Sequence, residues 1–220
     1  MEKSALPLRH RLAVGAGAAG LIVADVFTLG FVTLGFQMVT SRILTPLFGS
    51  GIYTWATIIS ISIGGLMLGY FLGGLLADRF PGFGFAATIK FIASAYLFFI
   101  YFMSQGGLEV VISGVGNEYA ALFLSGFVVC FPPLFVLGMY SPLSVRLLLR
   151  LPSDAGKISG GLFAISSLGN IIGIIIVTFF FIPLMGTRTI TAGFAVFLLA
   201  SGFYSLTIRA LYRGGAPQGV

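Results

Sequence analysis

Only a few residues in this chain could do chemistry, and most of them lie inside or beside long apolar runs. Asp25 falls roughly midway along an apolar run from about Leu12 to Val39. An unpaired carboxylate at that depth is expensive in hydrocarbon. It reads as a proton or cation site, as an acid paired with Lys90, or as a group lining a wet contact with another subunit. Lys90 stands near the start of a later aromatic-rich run, within snorkelling reach of an interface. Gln37 and Arg42 lie at the far end of the first run, where they either shape a vestibule or leave Arg42 anchoring a turn through loop carbonyls. Asp78 and Arg79 close the second run. A carboxylate just past a helix C-terminus sits against the helix dipole. Asp78 is better placed near the next helix start or on a base such as Arg146, as a latch between helix pairs or as a simple turn cap. Asn170, between Gly169 and Gly173, reads as an interhelical hydrogen-bonding group before it reads as a ligand. Arg188 belongs to a short turn with Met185, Gly186 and Thr187.

What is missing narrows the chemistry further. One histidine (His10) and one cysteine (Cys130) provide neither an intrachain disulfide nor a metal-ligand set. No nucleophile–base arrangement and no phosphate loop occurs. No catalytic residue, no metal and no cofactor is therefore expected, and an independent enzyme is not the reading.

The elements that position these residues follow from composition. The 220-residue chain is 58% hydrophobic and 8% charged, with a mean hydropathy of +1.08, against about 25% charged in soluble domains. It reads as an all-α integral membrane protein, a bundle of about six transmembrane helices. A basic head over residues 1–11 precedes a transmembrane domain over 12–211, and a short flexible tail follows over 212–220. The first helix spans about 12–39. A turn with Pro46 and Gly49 leads to a second over about 52–76, whose Gly65, Gly69 and Gly73 fall four apart on one face, a glycine zipper that lets helix backbones approach closely. A third is expected over about 83–103. Residues 104–118 have room to lie along the membrane surface. A fourth helix over about 119–139 carries Pro132-Pro133, which should kink it or end its first half. A short basic amphipathic helix over about 143–151 is expected on the membrane surface. A fifth spans about 158–184 with Gly169 and Gly173 four apart, and a sixth about 190–211. The glycine faces of helices two and five form a weak internal echo, of the three-plus-three kind common in transporters.

Lysine and arginine set the orientation. With the N-terminus inside, ten of the 12 basic residues fall on inner segments, and only Arg42 and Arg188 on outer ones. The positive-inside rule then places both termini in the cytoplasm, as in a bacterial-type inner membrane. The net charge of +6 is accounted for by helix ends, so no nucleic acid is expected as a partner.

Two stretches stand out by the order and spacing of their residues. One runs from Gln37 and Arg42 through Phe48-Gly49-Ser50 and the Gly65/Gly69/Gly73 helix to Ala77-Asp78-Arg79. The other runs from Gly138-Met139 and Ser141-Pro142 through Gly160-Gly161-Leu162, Ala164, Ser166 and Leu168-Gly169 to Ile182-Pro183-Leu184 and Gly186-Thr187-Arg188. Together they resemble the membrane domain of fused spermidine synthase-like proteins, in which a bundle related to the major facilitator superfamily precedes a soluble aminopropyltransferase-like domain. Gly74 with Asp78-Arg79 is similar to part of the loop signature between helices two and three of major facilitator transporters. The resemblance implies half of a major facilitator bundle. No synthase domain is expected within these 220 residues, and Gln37 stands where the family has an acid. A non-catalytic membrane subunit or anchor is the leading expectation, assembling with other protein subunits or with itself. A separate synthase-like soluble partner would dock on Arg146, Arg150 and Lys157. A small transporter of polyamines or other solutes, acting as a homodimer, is the second expectation. An accessory structural subunit of a larger complex, using its glycine and aromatic faces for contact, is the third.

Overall fold

In the computed structural model the described residues are 16–103, 106–148 and 154–214. The expected head and most of the expected tail lie outside them, as does Arg150. Within them the chain is helical and no strand occurs: α1 (Ala16–Phe48), α2 (Ile52–Arg79), α3 (Phe83–Met103), α4 (Gly107–Ser113), α5 (Glu118–Gly138), α6 (Tyr140–Leu148), α7 (Ala155–Ile176), a π-helical turn (Val177–Phe181), α8 (Ile182–Leu184) and α9 (Thr187–Gly214). These make six helices long and apolar enough to cross a membrane, with α5–α6 and α7–α8 each forming one.

Several boundaries differ from the expected ones, each for a local reason. α1 does not stop near Val39. It runs on through Arg42, Thr45 and Pro46 to Phe48, and Thr45 donates back to the Ser41 carbonyl at 2.6 Å. The turn into α2 is thereby reduced to Gly49–Gly51, where Gly49 takes φ +72°, a conformation open to glycine at little cost. Pro132-Pro133 do not end α5. Pro132 cannot donate to the Val128 carbonyl, and the Tyr96 hydroxyl from α3 supplies that hydrogen bond at 2.6 Å. The break comes instead at Met139, where Pro142 has no N–H for the Gly138 carbonyl. The expected amphipathic helix begins at Tyr140 rather than near Leu143, and it buries Tyr140, Leu143, Ser144 and Leu147. Residues 107–113 of the expected surface stretch are helical as well. Asn117 caps α5, accepting from the Tyr119 and Ala120 amides at 2.9 and 3.1 Å. Near the end of the fifth span the π turn carries the chain to Pro183, and the Ile182 amide bonds five residues back to Val177.

The helices pack in three principal pairs: α1 with α7, α2 with α5 and α3 with α9. The glycine faces are consumed within these pairs. Gly69 meets the Phe135 carbonyl and Gly73 the backbone of Met139, while Gly169 meets the Phe27 carbonyl and Gly173 that of Phe31. The Gly65/Gly69/Gly73 face therefore packs within the chain's own bundle, as glycines at this spacing suggest, and is not left over for contact with other subunits.

The two glycine pairs are related. At one constant offset along the chain Phe27 corresponds to Phe131, Phe31 to Phe135, Gly65 to Gly169 and Gly69 to Gly173, and the starts of α3 and α9, Phe83 and Thr187, share it. The crossings of Phe27 and Phe31 with Gly169 and Gly173 between α1 and α7 thus have counterparts between α5 and α2 in Phe131 and Phe135 with Gly65 and Gly69. Where the residues differ, the counterpart compensates: Gly73 faces Met139, and at the equivalent crossing Val177 faces Gly35. The weak echo in the sequence is an internal repeat in the packing. Because two spans lie between equivalent ones, the first and the fourth, α1 and α5 run in opposite directions.

Candidate functional site

The polar centre of the bundle is built from four of its spans. Asp25 on α1 and Lys90 on α3 form an ion pair, with the lysine side chain fully buried and the aspartate 16% exposed. Tyr140, the first residue of α6, donates to the same carboxylate oxygen at 2.6 Å. Ser201 on α9 donates to the other oxygen at 3.0 Å. The Lys90 ammonium also donates to Ser205 Oγ at 2.8 Å and lies 5.3 Å from the Tyr140 ring centroid. Ser205 donates on to the Ser201 carbonyl at 3.1 Å. Asp25 therefore accepts from three donors, and its charge is matched by one cation. Such a centre ties α1, α3, α6 and α9 together, since each of them supplies a group the others cannot satisfy alone.

Beside this centre lies a small cavity of about 40 Å³ among α1, α2, α5–α6 and α7, open on one side. Gly30, Thr33, Tyr70, Ser141, Ser166 and Asn170 contribute to it, as does Tyr140 of the polar centre. Its volume accommodates a few water molecules. Asn170 Oδ1 is buried with no protein partner among the described residues. Two of the helices that line it are α2 and α7. These helices have the least buried hydrophobic stretches of the six spans, and polar groups there include Tyr70, Ser166 and Ser167.

The remaining expected residues are dispersed. Asp78 and Arg146 do pair, at 3.6 Å, but both side chains are largely exposed. Arg79 is exposed at the end of α2, and Lys157 is exposed on α7. Gln37 is buried in α1 away from the centre, while Arg42 is exposed on the same helix and lines a separate groove with Thr45, Pro46, Ile182, Gly186 and Thr187. Arg188 stacks on the Tyr101 ring, 4.6 Å from its centroid. No group of three or more potential metal ligands occurs among the described residues. Tyr140 and Ser201 as partners of Asp25, and Ser205 as a partner of Lys90, were not foreseeable, because single hydroxyls in apolar helices carry no spacing signal. Comparison with protein families, curated proteins and solved structures returns no match for this chain.

Proposed function

We propose that this chain is a non-catalytic membrane subunit, resembling the membrane domain of spermidine synthase-like proteins, whose bundle is completed by protein packed on the α2/α7 face. The observation that carries this reading is the polar cleft that those helices help to line. Asn170, Ser166, Ser141, Thr33 and Tyr70 line it. A polar strip of that kind is costly against lipid tails and is stabilised by contact with protein. By contrast, the Asp25–Lys90 centre is internally satisfied, as befits a structural tie. The experiment is gentle extraction of the full chain followed by mass determination. A defined assembly is expected, larger than the 23.3 kDa chain. Ser167→Trp and Met67→Trp, both at exposed positions on the two helices, are expected to dissociate that assembly while each monomer stays folded. A monomer in the wild type, with the fold intact, refutes the reading.

A homodimeric transporter is the second reading, favoured by the internal repeat of antiparallel helices, an arrangement common among transporters that bind their substrate where repeats meet. It requires Asp25→Asn to abolish flux in reconstituted vesicles while the dimer survives.

A further inference from the structure

The repeat that relates α1 to α5–α6 also relates two arginines. Arg42 on α1 and Arg146 on α6 stand at equivalent positions, as do Ile182 on α8 and Asp78 near the end of α2. In one copy of this arrangement Arg146 Nε lies 3.6 Å from the Asp78 carboxylate. In the other, Arg42 and Ile182 line a common groove of about 400 Å³ together with Thr45, Pro46, Gly186 and Thr187. The fold therefore repeats the arginine and the close approach of the two spans, but replaces the carboxylate with an alkyl group. Among the described residues no acidic side chain comes within ion-pair distance of Arg42. The groove lies at the ends of three spans, α1, α7–α8 and α9, and α9 begins at Thr187 on its wall. The positive end of that helix's dipole adds to the arginine charge. Close to it in the chain are exposed apolar side chains, Leu47, Leu184 and Met185.

We propose that this groove binds the phosphate of an anionic phospholipid headgroup, Arg42 supplying the cation that Arg146 supplies to Asp78 in the other copy. A lipid is the fitting source of the anion. The site sits where membrane spans end, and its exposed apolar surroundings suit acyl chains better than water. An aqueous anion would gain nothing from Leu184 and Met185.

The test is native mass spectrometry of the full-length protein in mild detergent, titrated with phosphatidylglycerol and, separately, phosphatidylcholine. The wild type is expected to retain phosphatidylglycerol about fivefold more strongly, the effect of one basic side chain at a headgroup. Arg42→Gln is expected to abolish that preference, Arg42→Lys to keep most of it, and Arg146→Gln to leave it unchanged. The sharpest variant is Ile182→Asp, which restores the carboxylate of the other copy. It is expected to occupy Arg42 internally and remove the preference as fully as Arg42→Gln does, with no further loss in the double variant. Arg42 is exposed, so its variants are expected to fold, and an unchanged melting temperature verifies this. A preference that survives Arg42→Gln or Ile182→Asp overturns the proposal. Displacement of phosphatidylglycerol by millimolar inorganic phosphate overturns the lipid assignment in favour of a free anion.

Discussion

Removing one member of the Asp25–Lys90 pair should cost far more than removing both. Asp25→Asn leaves the Lys90 ammonium, with no exposed surface, without a counter-charge, holding only neutral groups: the new amide, Ser205, the Ser201 carbonyl and the Tyr140 ring. A buried charge stranded in this way destabilises a fold by about 3–5 kcal/mol. Lys90→Met strands the carboxylate instead, but Asp25 keeps two donors, Tyr140 and Ser201, and is 16% exposed. Its loss should therefore be smaller, about 2–3 kcal/mol, since hydrogen bonds to a charged group recover part of the penalty. The double variant Asp25→Leu/Lys90→Met replaces the pair by apolar volume and should fall within about 1–2 kcal/mol of wild type, on either side. The assay is thermal or denaturant unfolding of the purified protein in one detergent, read as a double-mutant cycle. The predicted order of stability is wild type and double variant together, then Lys90→Met, then Asp25→Asn. A double variant as unstable as Asp25→Asn would refute the reasoning, because the cost would then come from lost packing and not from a stranded charge.

Three further outcomes are expected. Tyr140→Phe removes one donor to Asp25 and keeps the ring, so it should cost about 1–3 kcal/mol in the same unfolding assay. Gly69→Leu and Gly169→Leu drive a side chain into the Phe135 and Phe27 carbonyls and should abolish the monodisperse peak in size-exclusion chromatography, whereas Gly160→Ala, which meets nothing within 4 Å, should leave it unchanged. Asp78→Asn should shift stability by less than about 1 kcal/mol, because the pair with Arg146 is largely exposed, and the small shift should disappear at high salt.

The parts of this structure that could be read from the sequence are those where cost forces a solution. Apolar runs of spanning length, broken by charged turns, gave the six long helices. A carboxylate and an ammonium inside such runs had few possible partners, so the pairing of Asp25 with Lys90 could be named, and so could that of Asp78 with Arg146. What stayed hidden depends on contacts between distant segments. Glycine spacing announces a close approach but not the helix that approaches, and Gly65, Gly69 and Gly73 proved to face α5 within the same chain. Pro132 looked like a break because the rescue of the Val128 carbonyl comes from Tyr96, far away in sequence. Pro46 was misread for a similar reason: a proline near a glycine looks like a turn, yet α1 simply runs past it.

The pairing pattern also bears on how the molecule can be made. Each principal pair joins a helix from the first half of the chain to one from the second: α1 to α7, α2 to α5, α3 to α9. The two halves are interlocked, and neither buries its own glycine or phenylalanine faces. On this pattern the first three spans are expected to lack their principal partners until the second half is made, with Asp25 and Lys90 paired but without Tyr140 and Ser201. A late, concerted assembly is therefore expected in place of a stepwise accretion. Cutting the chain between α3 and α4 should give two fragments that insert separately yet acquire protease resistance only when expressed together.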